Sequence, residues 1–287
     1  MLRRIFALST VALALASGAD QPIKVVLVGD STVNDEGGWG PGFRASFGPD
    51  VQVVNLALNG RSSKSFRDEG EWAKVLREKP DFVLIQFGHN DQPGKGPERE
   101  TDPATTYRAN MERFVEEVSA AGGTPVLVTS IVRRAFDAGG KFRPDLLVTY
   151  AEAVRRLAVE RQVALIDLYT LTREQAERRG PAGSEALGLN DAQGKPDRTH
   201  LGPKGQTEIG AMAAKEFARV APRVSASLHE LVSWRNAMRQ PAAWYGSTEA
   251  VRIADNLLLY QREVGGWDKN IDMALALGPK DRAAIEK

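Results

Sequence analysis

The chain has no cysteine. That excludes disulfide staples, thiolate catalysis and cysteine-ligated zinc, and leaves the apolar core to hold the fold. Neither sign of charge is in excess: 38 Lys and Arg against 37 Asp and Glu give a formal net charge of +1. Nothing in that balance forms a basic footprint for nucleic acid. Histidine is scarce, with three in 287 residues, so the candidates for a general base are His89, His200 and His229. There is no H-E-x-x-H or comparable ligand spacing, so no metal site is expected. No internal repeat is present.

Long apolar runs are also missing, except at the start. Leu2-Arg3-Arg4 precedes an apolar stretch from Ile5 to Ala16, followed by small residues at Ser17, Gly18 and Ala19. That stretch is too short to span a bilayer comfortably. With its basic start it reads as a signal peptide over residues 1–19, cleaved near Ala16 or Ala19. An exported protein, secreted or periplasmic and with no membrane segment after cleavage, is the expectation.

Short apolar runs alternate with helix-like stretches over the rest of the first 224 residues. Val25-Val26-Leu27-Val28, Val51-Gln52-Val53-Val54, Phe82-Val83-Leu84-Ile85, Val126-Leu127-Val128 and Val163-Ala164-Leu165-Ile166 read as five strands. The first and third runs lack polar alternation, as in strands buried on both faces. Helices are expected at Phe43 to Phe47, Ser65 to Glu78, from Asp102-Pro103 to about Ala121, at Leu146 to Glu160 and at Lys204 to Val220. Gly180 to Pro196, rich in Gly, Pro, Ser and Asn, reads as a long loop. The pattern predicts an α/β fold: a flavodoxin-like three-layer α/β/α sandwich with a five-stranded parallel sheet in the order 2-1-3-4-5.

The first strand ends in Gly29-Asp30-Ser31-Thr32. Gly29 permits a tight turn, which places Ser31 where open α/β sheets bind ligands. Ser31 is therefore a candidate nucleophile, although Gly-Asp-Ser alone is equally the signature of a turn serine capping a helix. In the assumed strand order, Asn59-Gly60 after the second strand and Asn90 after the third reach the same rim. The Ser31 and Gly60 amides and the Asn90 side chain would then supply an oxyanion hole. Asp197-Arg198-Thr199-His200 offers a base and its orienter three residues apart, so one short turn can hold both. His89, beside Asn90, reads as support for that loop, and His229 as a surface or packing residue. Arg198 has no evident role.

These blocks resemble the SGNH, or GDSL-like, hydrolase superfamily: Gly29-Asp30-Ser31-Thr32, Asn55 to Ser63, Gly88-His89-Asn90-Asp91 and Asp197-Arg198-Thr199-His200-Leu201. The resemblance spans Ile23 to Val220 and is nearest to the rhamnogalacturonan acetylesterase-like subgroup. It implies the SGNH hydrolase fold, Ser31 as nucleophile, Asp197 and His200 as its partners, and Gly60 and Asn90 as oxyanion donors. It also implies cofactor-free deacetylation of a pectic polysaccharide through an acetyl-serine. Another SGNH activity (acetylxylan esterase, lipase or thioesterase) is the alternative within the family. A catalytically idle carbohydrate-binding module is the alternative outside it.

From Ser225 the chain reads as a linker and a separate helical piece, residues 225–287. A helix is expected from Glu249 to Glu263. Tyr260-Gln261, Gly265-Gly266-Trp267 and Lys269-Asn270 are similar to the opening of a pectate lyase family. The chain ends before that family's catalytic residues, so the tail implies no lyase activity. Every candidate catalytic residue precedes Ser225, so the sequence assigns the tail no part in the site.

Overall fold

The computed structural model describes residues 21–190 and 193–286. The signal peptide expected over residues 1–19 lies outside them. Five parallel strands form the central sheet: β1 (Ile23–Gly29), β2 (Val51–Asn55), β3 (Phe82–Gln86), β4 (Thr124–Val128) and β5 (Ala164–Ile166). Their spatial order is β2-β1-β3-β4-β5, as the apolar pattern predicts.

Helices cover both faces, which is why the β1 and β3 runs are apolar throughout. Successive side chains on a strand point to opposite faces. Val25, Leu27 and Leu84 accordingly join a cluster with Phe43, Ile209 and Phe217. Val26, Val28, Val83 and Ile85 face a second cluster with Phe66, Phe114 and Leu157. The first layer is built on α1 (Gly40–Ala45) and α7 (Pro203–Val220). The second is built on α2 (Ser65–Asp68), α3 (Trp72–Arg77), α4 (Thr106–Ala120) and α5 (Leu147–Arg161). Phe217 is fully buried, with the rings of Phe43, Phe47 and Phe82 at centroid distances of 5.7, 6.1 and 5.3 Å. Truncating a phenylalanine packed in this way costs about 3–5 kcal/mol.

Among the stretches that differ from the sequence reading, two take a form other than the one expected. The helix expected from Ser65 to Glu78 is divided into α2 and α3, because Gly70 adopts φ +79° between them. The loop expected over Gly180 to Pro196 contains ordered elements. It starts inside α6 (Leu168–Glu185), which kinks where Gly180 (φ 67°) precedes Pro181, a residue with no N–H to donate. It then enters an antiparallel hairpin, β6 (Gly188–Asn190) against β7 (Pro196–Leu201), with Gly188 opposite Leu201. Short polar residues hid this hairpin, since little of it is buried and no apolar alternation marks it.

The chain after α7 folds back on the sandwich. A 3-10 turn (Pro222–Ser227) leads to α8 (Trp234–Ala237), a second 3-10 turn (Ala242–Gly246), α9 (Thr248–Leu259) and α10 (Pro279–Ile285). Phe47 and Leu228 form an antiparallel bridge, and Gly48 N–H donates to the Ser227 carbonyl at 3.0 Å. α9 places Ile253 in a small cluster with Ala237 and Ala274. A lone amphipathic helix has no such partner and is marginal in water.

Candidate active site

Three strand ends and the hairpin converge on one rim of the sheet. Ser31 follows β1, Gly60 follows β2, Asn90 follows β3, and β7 carries Asp197 and His200. The first three ends are neighbours because β1 lies between β2 and β3. A cleft of about 500 Å³ there is lined by Ser31, Gly60, Asn90, Asp197 and His200, among others. A larger hollow, about 800 Å³ and lined by Gly48, Leu228 and Glu249, shares no residue with it.

The turn that presents Ser31 is closed by Asp30. The Asp30 carboxylate accepts from the Thr32 N–H at 2.9 Å and from the Thr32 hydroxyl at 2.7 Å. Gln86 donates to the Thr32 oxygen at 2.8 Å and accepts from the Trp39 indole at 3.0 Å. A buried polar chain thus anchors the turn to β3. Burial pushes the Asp30 carboxyl up from the ordinary aspartate range, against the opposing hydrogen bonds from Thr32.

Ser31 Oγ lies 2.9 Å from His200 Nε2, and His200 Nδ1 lies 2.8 Å from Asp197 Oδ2. The other oxygen of Asp197 accepts from the Thr199 and His200 amides at 2.8 and 2.9 Å. Burial pushes the Asp197 carboxyl up, but these amides and the imidazole outweigh it and hold it below the usual carboxylate range. An ionised Asp197 on Nδ1 leaves Nε2 free to accept from the serine hydroxyl. Asp197 and His200 sit on a strand, not in the short turn expected; the three-residue separation is bridged because the carboxylate folds back over its own backbone.

Opposite Ser31, Gly60 adopts φ +75°, a conformation that side chains other than glycine's resist. Among the described residues, neither the Ser31 nor the Gly60 backbone N–H has a protein acceptor. Asn90 is buried and donates one side-chain N–H to the Arg61 carbonyl at 3.1 Å. That bond orients the amide and leaves its second N–H for a ligand. Three donors without other work, beside a hydroxyl hydrogen-bonded to an imidazole, are what acyl transfer requires.

His89 supports the Asn90 loop. Its Nε2 donates to the Ile131 carbonyl at 3.0 Å, and burial lowers its pKa to about 3, so the ring is neutral. Next to Asn90, Asp91 is buried, accepting from the Ser63 hydroxyl at 2.6 Å and the Thr101 hydroxyl at 2.8 Å; burial raises its pKa to about 7. His229 is half-buried, with Nε2 4.0 Å from the Glu249 carboxylate. Arg198 is exposed, and its carbonyl accepts from the Arg134 N–H at 2.9 Å. Among the described residues no group of three or more His, Asp or Glu side chains could hold a metal ion, and no helix is long and apolar enough to cross a membrane.

The sequence reading missed Arg134. Its guanidinium is buried behind the hairpin and donates to the carbonyls of Asp197, His200 and Thr199 at 2.7, 2.6 and 3.4 Å. Burial lowers its pKa to about 10, still above neutrality. Its partners are backbone carbonyls, so no complementary acid in the sequence signalled it.

Residues 21–208 match the model of the GDSL-like lipase/acylhydrolase family. The chain is 36% identical over 212 residues to the rhamnogalacturonan acetylesterase RhgT of Bacillus subtilis, covering 68% of this chain and 89% of that protein. It is 33% identical over 199 residues to the probable rhamnogalacturonan acetylesterase YesY of the same organism, covering 67% and 90%. The fold is similar to that of the acetylxylan esterase Axe2 from Geobacillus stearothermophilus, with a TM-score of 0.52 at 20% identity over 69% of this chain and 94% of that one. It is also similar to that of the Bacillus subtilis protein YxiM, with a TM-score of 0.61 at 23% identity over 71% and 58%. With its Gly-Asp-Ser turn on the first strand and its Asp–His pair on the late hairpin, the chain belongs to the GDSL-like lipase/acylhydrolase family, in its rhamnogalacturonan acetylesterase-like branch.

Proposed function

We propose that this enzyme is an exported serine esterase that removes acetyl groups from a pectic polysaccharide. The observation that carries the proposal is the continuous hydrogen-bonded chain from Ser31 Oγ through His200 to Asp197. His200 Nε2 takes the Ser31 proton as Oγ attacks the acetyl carbonyl carbon. The carbonyl oxygen becomes an oxyanion, held by the Ser31 and Gly60 amides and by the Asn90 side chain. The intermediate collapses, its bond to the sugar oxygen breaks, and that oxygen takes the proton from His200. Water then attacks the acetyl-serine, giving its proton to His200. Acetate leaves, and the proton returns to Ser31. Every catalytic group in these steps is a side chain or backbone amide of the protein.

The pectic substrate is supported by the two rhamnogalacturonan acetylesterases to which the chain is similar. Export is supported by the basic start and short apolar run before Ala19. Acetate release from purified enzyme, on acetylated pectic polymer and on acetylated xylan, tests the substrate. Faster release from the pectic polymer is expected. A tenfold preference needs only about 1.4 kcal/mol of differential transition-state binding. Equal or faster turnover of acetylxylan overturns the pectic assignment and leaves the esterase chemistry standing.

A further inference from the structure

The tail after Val224 reaches the cleft. Its last stretch is anchored from two sides. From α9, Arg252 donates to the Ala274 and Leu275 carbonyls, both at 2.7 Å, and Asn256 donates to the Met273 and Leu275 carbonyls at 2.9 and 2.8 Å. From the sandwich, Thr207 accepts from the Ala276 N–H at 2.8 Å. Gly278 then passes against the turn after Ser31 so closely that a Cβ there would lie 2.0 Å from the Asp35 carbonyl oxygen. The backbone so fixed puts Lys280 in the wall of the catalytic cleft. Lys280 lies beyond residue 208, where the match to the family model ends.

A second hollow of about 600 Å³ adjoins the first, and Glu36, Asn59 and Lys280 line both. The two hollows thus share part of their lining, with Lys280 at their junction. Two of the other three charges along the second hollow are paired. Asp35 is paired with Arg44 at 2.7 Å, and Arg61 with Glu69 at 2.7 Å. Glu36 accepts from the Asn59 amide at 2.8 Å. Asp281, the chain neighbour of Lys280, accepts from the Gly278 N–H at 3.1 Å. Among the described residues Lys280 makes no ion pair, and it is an exposed residue that lines both hollows.

We infer that the second hollow is a sugar subsite, in which Lys280 binds the carboxylate of an acidic sugar in the same polymer chain as the acetylated one. The inference rests on the polysaccharide esterase reading above. A polymer needs an extended groove, and a cation at the junction of the two hollows selects a chain that carries negative charge as well as the ester. The ammonium is exposed to solvent, so its attraction is modest and falls with ionic strength.

The test uses the full chain and two forms of one substrate: an acetylated galacturonate oligosaccharide, and the same oligosaccharide with its carboxyl groups reduced to alcohols. The readout is the ratio of kcat/KM on the acidic form to that on the neutral form. In Lys280→Gln the ratio falls about three- to fivefold, through KM, the range of an exposed charge pair. Lys280→Glu lowers it further, Lys280→Arg retains it, and high salt moves the wild-type ratio toward that of Lys280→Gln. A ratio that stays at the wild-type value in both Lys280→Gln and Lys280→Glu overturns the inference. Wild-type enzyme that prefers acetylxylan to acetylated pectin fails the substrate reading instead, whatever Lys280 does.

Discussion

The guanidinium of Arg134 donates to the backbone carbonyl of His200 at 2.6 Å, across 66 residues of sequence. The same nitrogen donates to the carbonyl of Asp197 at 2.7 Å. One buried cation therefore holds both ends of the segment that carries the proposed base and its orienter. Its planar fork reaches several carbonyls at once, which a lysine ammonium on a flexible stem does not reproduce.

Arg134→Lys and Arg134→Ala are expected to lower kcat more than they raise KM, because the loss is of alignment and not of substrate contacts. A displacement of about 1 Å in a reacting group can cost roughly 10²-fold. Arg134→Ala also leaves buried carbonyls unpaired and should destabilise the fold by about 1.5–3 kcal/mol, the range for hydrogen bonds to charged groups. Steady-state kinetics and denaturant titration of each variant check this. Wild-type kcat in a folded Arg134→Ala removes the positioning role.

Ser31→Ala and His200→Ala should each abolish most turnover, and the double variant should lose little more. In the proposed mechanism the two side chains, 2.9 Å apart, share one proton transfer, so removing either removes the step. Single-turnover assays with an activated acetate ester measure these losses. Retained activity in Ser31→Ala refutes the nucleophile assignment.

Asn90→Ala should lower kcat by about 10²–10³-fold, the usual effect of losing one oxyanion donor. KM should move far less, because a donor aimed at developing charge binds the ground-state carbonyl weakly. Kinetics on an acetylated oligosaccharide separate the two constants. A raised KM with normal kcat would make Asn90 a substrate-binding group.

Asp91 predicts a pH-dependent stability. Its folded pKa is raised to about 7 by burial, from an ordinary value of 3.8. Between those values the unfolded chain releases the proton that the folded chain keeps. The stabilisation is therefore complete below about pH 4 and is lost as pH rises toward 7. The effect amounts to a few kcal/mol, at about 1.4 kcal/mol per pH unit. Asp91→Asn keeps an oxygen to accept from Ser63 and Thr101 and removes the titration. Denaturant unfolding from pH 4 to 8 should show wild-type stability declining relative to the variant, and parallel profiles would contradict the shift.

The sheet was legible in the sequence because burial on both faces forces a local signature. Val25 to Val28 and Phe82 to Ile85 must be apolar at every position, and such runs can be counted. The rim residues Ser31, Gly60 and Asn90 were legible because each lies in the loop that follows a strand end, and strand order brings those loops together. The hairpin that carries Asp197 and His200 was not. It buries little apolar surface, and its pairing is made by backbone groups that every residue has.

By itself, then, the sequence determined the elements that local patterning encodes: five strands, their order, and the polar residues stationed at their ends. Only the tertiary structure decided what came from far along the chain. Arg134 is satisfied by carbonyl oxygens, which leave no trace in side-chain type. Lys280 gains its place from a strap anchored by Arg252, Asn256 and Thr207. Interactions of this kind are set by the path of the folded backbone, and no spacing in the sequence records that path.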